Sequence, residues 1–182
     1  MSNAIGIVEF NSIAKGMYAT DQMIKTAEID VITANTVCPG KYIAIVHGDV
    51  SSVANSVEVG VAEAEEFLVD HMVIPNVHAQ VFPAIAGVEM PENIDAIGII
   101  ETFSVANMVE VADAVLKAAN LEAIEIRLGT GLGGKSVFTF TGDVGAVEAG
   151  LETGRMIAEE NGTLVNSESI PSPAKDLIAT LF

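Results

Sequence analysis

The chain repeats itself, and that limits what it can fold into. Ala4-Ile5-Gly6-Ile7-Val8-Glu9 returns 92 residues later as Ala96-Ile97-Gly98-Ile99-Ile100-Glu101. The same offset pairs Ser12 with Ser104, Asp21 with Asp113, Lys25 with Lys117 and Ala27 with Ala119. Farther along the offset is 94, joining Gly48-Asp49-Val50 to Gly142-Asp143-Val144 and Ala64-Glu65 to Ala158-Glu159. Ile74-Pro75 then matches Ile170-Pro171 at 96. The order never breaks, so the chain is a tandem duplication with short insertions at turns. Each copy is too long for one repeat of a solenoid, whose periods run to roughly 20–50 residues. Two globular domains follow, at residues 4–86 and 96–182.

Hydrophobic patterning assigns the elements within a copy. Residues 4–10 are a short apolar run, as in a buried strand, and Gly6 within it implies a close backbone neighbour. Ser12 suits the cap of a helix reaching about Ala27, with Ile13, Met17 and Ile24 on one side. Ile29 to Val37 and Tyr42 to Val46 read as strands. Asp49 suits the cap of a second helix, in which Val53, Val57, Val61, Ala64 and Leu68 keep helical spacing. A short strand, Val69 to Ile74, ends at Pro75, and a short helix is expected within Val77 to Ile85. Gly87 to Asn93 is the linker. The second copy repeats the order, with its clearest helix marked by Val105, Met108, Val109, Ala112, Val115, Leu116 and Ala119. The plan per copy is β-α-β-β-α-β. That gives an α+β fold, an α/β sandwich of ferredoxin-like type with helices on one face of a sheet.

Composition narrows the function. The formal charge is −17 with eight Lys and Arg, and no basic patch can be drawn, which argues against nucleic-acid binding. One cysteine excludes an internal disulfide and fits a reducing, cytoplasmic setting. The opening Met-Ser-Asn-Ala lacks the features of a secretion signal, and no apolar run reaches the roughly 18 residues that cross a bilayer.

The candidate chemistry lies between the second and third strands of each copy. Val37-Cys38-Pro39-Gly40-Lys41 holds the only cysteine, and Gly131-Leu132-Gly133-Gly134-Lys135 stands in the same place with leucine instead. Residues 129–136 match the phosphate-loop pattern G-x-x-x-x-G-K-S, but that motif needs a helix after it. The next residues, Val137-Phe138-Thr139-Phe140-Thr141, read as a strand, so a glycine-rich turn is the better reading. His47, His71 and His78 lack metal spacing. Glu9 and Glu101 close equivalent strands, either as an acid–base pair or, as we prefer, as hydrogen-bond acceptors at a subunit or domain contact. A lone cysteine is usually a small buried hydrophobe, yet Pro39 and Gly40 mark a turn tip. A catalytic thiol needs a base or helix N-terminus beside it, and the local sequence offers neither. One thiolate also makes a poor site for a metal cluster, unless a threefold axis turns one into three.

The opening repeat, the following Ser-Ile-Ala-Lys-Gly, the helix ends Ile24-Lys25-Thr26-Ala27 and Leu116-Lys117-Ala118-Ala119, and the Gly-Asp-Val turns resemble the shell proteins of bacterial microcompartments. The duplication resembles their tandem-domain class. The two loops resemble those of the T-type shell proteins of propanediol-utilisation compartments. This resemblance implies a non-enzymatic homotrimer, a pseudohexamer of six domains, tiling with other shell proteins around encapsulated enzymes. It implies that Lys25 and Lys117 lie at tile edges. It implies that Val37, Pro39, Gly40, Gly131, Leu132, Gly133 and Gly134 surround a central pore. It further implies a [4Fe–4S] cluster on the threefold axis, one per trimer, with one Cys38 ligand from each chain. Electron transfer or cluster delivery across the shell, with an encapsulated redox enzyme as partner, would be its role. The alternative is a tile without cluster, whose pore passes a metabolite.

Overall fold

The computed structural model describes residues 4–181. The chain divides into two compact units. The first, residues up to Val77 with Gly129–Gly134, holds β1 (Ala4–Phe10), α1 (Ile13–Thr26), β2 (Asp30–Val37), β3 (Lys41–Gly48), α2 (Val50–Ala64) and β4 (Leu68–Ile74). The second holds α3 (Val81–Ala86), β5 (Ala96–Thr102), α4 (Val105–Ala118), β6 (Glu122–Leu128), β7 (Ser136–Gly142), α5 (Val144–Glu160), β8 (Leu164–Pro171) and α6 (Lys175–Leu181). Among the described residues each unit has one antiparallel four-stranded sheet, ordered β2-β3-β1-β4 in the first and β6-β7-β5-β8 in the second. This is the ferredoxin-like order that the β-α-β-β-α-β pattern implies.

The central strand of each sheet explains the packing. All seven residues of β1 are buried, because it pairs on both edges and carries helices on one face. Gly6 lets α2 settle on it: a Cβ there would lie 2.6 Å from Val57 Cγ2 and 2.7 Å from Val53 Cγ1. In the second unit Phe138 and Phe140, fully buried on β7, stack with ring centres 5.0 Å apart.

The structure refines three local readings. Ile13, Met17 and Ile24 are exposed, and the inner side of α1 is Gly16, Ala19, Thr20 and Met23. Small residues win there because the helix lies close: a Cβ on Gly16 would come within 2.7 Å of the Tyr42 side chain. Leu68 belongs to β4 and not to the second helix, which stops at Ala64 because Glu65 turns the backbone to φ +53°. The short helix expected within Val77 to Ile85 is α3, and it packs on β6 and α4 in the second compact unit.

The helix caps fall where the sequence puts them. Ser12 and Ser104 accept from Lys15 N and Asn107 N, and Asp143 accepts from Ala146 N. Asp49 Oδ1 accepts from Ser51 Oγ at 2.6 Å and from the amides of Ser51 and Ser52 at 3.0 Å. The hydroxyls of Ser51 and Ser52, backed by those amides, hold this carboxyl well below the usual carboxylate range. Folding thus lowers its proton affinity. Its contribution to stability is present above the unfolded-state value of about 4 and is lost as pH falls below it. Asp49→Asn keeps a capping oxygen that does not titrate. Its urea midpoint should therefore fall less steeply than wild type below about pH 4, and parallel pH curves would refute this.

Candidate functional site

The strands β2 and β3 run to a tight end, with Val37 paired to Lys41 and Cys38-Pro39-Gly40 as the tip. Gly40 N donates to Val37 O at 3.0 Å, and its φ of +84° is one that side-chain-bearing residues avoid. The Cys38–Pro39 peptide is cis. Cys38 is half-buried, with a free thiol.

The structure brings the two sequence-predicted loops together. Gly129–Gly134 groups with the first unit, and the Cys38 amide donates to Gly129 O at 3.0 Å. Gly129 packs so closely on Val37 that a Cβ would lie 2.9 Å from Val37 Cβ, and one on Gly134 would lie 3.1 Å from Pro39 Cδ. Gly131 and Gly133 face open space, and Leu132 is half-buried. The cysteine tip is therefore braced by its repeat-mate. Gly129 was missed as a site residue. The comparison of the two loops starts at Gly131 and gives no signal for it; the close fit against Val37 appears only in the folded backbone.

Each loop is also tied at its far end. Lys41 Nζ meets Glu9 Oε1 at 2.8 Å, and Lys135 Nζ meets Glu101 Oε2 at 2.7 Å. Each carboxylate accepts from a lysine of its own unit. Glu9 is 2% exposed and Glu101 is 29% exposed, so the two pairs sit in different surroundings.

The remaining candidates are placed simply. Ser136–Gly142 after the glycine loop is a strand, so no helix start faces that loop as a phosphate site requires. Lys25 pairs with Asp21 at 2.5 Å and Lys117 with Asp113 at 2.7 Å, both one helical turn apart. His47 Nε2 lies 3.8 Å from Asp30, and His78 N donates to Asp113 Oδ1. Among the described residues no three His, Cys, Asp or Glu side chains gather to hold a metal.

Residues 4–77 and 96–173 each match the BMC domain. The chain belongs to the BMC-domain family. Over 97% of its length, and 96% of the relative's, it is 40% identical to the bacterial microcompartment shell protein PduT of Citrobacter freundii. A solved microcompartments protein from Desulfitobacterium hafniense DCB is 46% identical, with a TM-score of 0.91 over 97% of this chain and 98% of that one. The fused permuted hexameric shell protein MSM0275 of the RMM microcompartment shares the fold alone, at 15% identity and a TM-score of 0.64 over 87% of this chain and 84% of that one. The resemblance read from the sequence is thus borne out. This BMC protein is a tandem-domain structural shell protein of a bacterial microcompartment, a family whose members assemble into oligomeric tiles with other shell proteins. Among its described residues no helix is long and apolar enough to cross a membrane.

Proposed function

We propose that the chain forms a homotrimeric tile in which three Cys38 side chains meet on the threefold axis and hold one [4Fe–4S] cluster. The observation that carries this reading is the placing of Cys38: half-exposed, at a hairpin tip, with its amide fixed to Gly129. The donor set fits the group. Iron–sulfur clusters are held by cysteine thiolates, one thiol per chain is too few, and three related by symmetry leave one iron open to an outside ligand. Leu132, in the alternate loop, cannot ligate, so six pseudo-equivalent loops supply three sulfurs. When bound, the cluster supplies one-electron transfer, for an encapsulated redox enzyme or for delivery across the shell. The chain's own part is to hold the tip rigid through Gly129 and the Lys41–Glu9 pair, and to leave room beside it at Gly131 and Gly133. Lys25 and Lys117 are the groups assigned to contacts with neighbouring tiles.

Purification without oxygen, with iron and acid-labile sulfide measured against protein, tests the reading. Four irons over three chains gives about 1.3 iron per chain in wild type, and Cys38→Ser should carry essentially none while remaining trimeric. A wild-type trimer free of iron and of visible absorbance would sink the cluster. It would leave the second reading, a pore for small metabolites. The open space at Gly131 and Gly133 favours that reading, and the −17 charge would bias such a pore against anions.

A further inference from the structure

The two loops divide between them what an anionic metal group needs. The cysteine tip offers a ligand and no spare N–H. The Cys38 amide donates to Gly129 O and the Gly40 amide to Val37 O, each at 3.0 Å, and Pro39 between them has none to give. The glycine loop offers the reverse. Leu132 stands where the thiol was, and among the described residues the amides of Gly131, Leu132, Gly133 and Gly134 donate to no backbone carbonyl.

The backbone of this loop alternates in hand. Gly129, Gly131 and Gly133 have φ of +62°, +73° and +63°, whereas Thr130 and Leu132 between them keep the ordinary negative φ. Such alternation turns successive N–H groups toward one side, the concavity that holds anions at many iron–sulfur sites. The loop lies against the tip, for a Cβ on Gly134 would stand 3.4 Å from Cys38 O. Charge makes these N–H groups the available compensation. The chain's formal charge is −17, and the lysine after each loop is already committed, Lys41 to Glu9 at 2.8 Å and Lys135 to Glu101 at 2.7 Å. A thiolate-held cluster is itself anionic, and its potential follows net charge and the hydrogen bonds to its sulfurs.

We propose that the amides of residues 131–134 donate to the sulfurs of the axial cluster and raise its reduction potential. This rests on the cluster reading above and deepens it. Duplication has split one site into a ligand loop and a donor loop, which alternate around the threefold axis. Donated N–H groups favour the more negative, reduced form, so their removal makes reduction harder.

Nitrogen-15 leucine in the otherwise unlabelled full chain, purified without oxygen and reduced with dithionite, tests the contact at Leu132. Pulsed electron paramagnetic resonance of the reduced cluster should show a nitrogen-15 coupling that vanishes in Leu132→Met, which keeps the N–H and loses the label. A cluster without this coupling, or with one that survives the substitution, overturns the donor role and leaves the cluster standing. Protein without iron overturns both. An ester in place of the Leu132 amide, made by incorporating leucic acid there, removes one N–H per chain. At a potential where wild type is half reduced, the ratio of reduced to oxidised cluster should fall at least tenfold, a shift of about 59 mV for one electron. An unchanged ratio in an ester variant that keeps its iron counts against the proposal, and if that variant loses its iron the labelling result decides.

Discussion

Lys41→Met should cost about 3 kcal/mol of stability, whereas the repeat-equivalent Lys135→Met should cost about 1 kcal/mol or less. The two lysines make the same contact, at 2.8 and 2.7 Å, with the penultimate residue of β1 and of β5. What differs is the water around the carboxylate. Glu9 lies on a strand buried at every position, so removing its cation strands a charge with almost no solvent. Breaking such a pair costs about 3–5 kcal/mol, and the partial exposure of Lys41 puts this case at the low end. Glu101 remains partly wet, and pairs like it contribute about 0–1 kcal/mol. Urea midpoints of the two variants measure the difference, and equal shifts would contradict it. Glu9→Met with Lys41→Met should recover most of the loss, because two apolar side chains leave no orphaned charge.

Gly129→Ala should be the most damaging single change at the loops, at about 2–4 kcal/mol. The substitution incurs about 1–2 kcal/mol for an L side chain in a left-handed conformation, here φ +62°. Crowding a filled space adds about 1–3 kcal/mol, because the new methyl would stand 2.9 Å from Val37 Cβ. Val37 leads directly into the cysteine tip, and Gly129 O holds the Cys38 amide, so the tip must shift. Gly131→Ala separates the two causes. It has the same sign of φ, +73°, and nothing within 4 Å, so it should show the conformational cost alone. Thermal midpoints should fall about 2–4 °C per kcal/mol, and iron per chain should drop sharply for Gly129→Ala but not for Gly131→Ala. Equal iron in both would mean that bracing by Gly129 does not position Cys38.

The strand and helix order was legible because it was written twice. The apolar run at residues 4–10 returns at Ala96 to Glu101, and each supports the other as a strand. The inner side of α1 was not legible. Ile13, Met17 and Ile24 have helical spacing and are apolar, but periodicity finds an apolar side without saying what lies against it. Gly16, Ala19 and Thr20 are buried because small residues permit close approach, which a hydrophobicity pattern does not register. Cys38 was legible as a turn tip from Pro39 and Gly40 beside it. Its contact with Gly129 was not, because a glycine's fit against a valine some ninety residues away appears only when both backbones are in place.

The segment Gly129–Gly134 clusters with the first unit, although the strands that carry it belong to the second, and α3 clusters with the second although it follows the last strand of the first. Severing the chain at the linker would therefore leave two incomplete pieces, one missing the brace beneath its hairpin and the other its short helix. Each half of the sequence thus completes its unit with a segment carried by the other half.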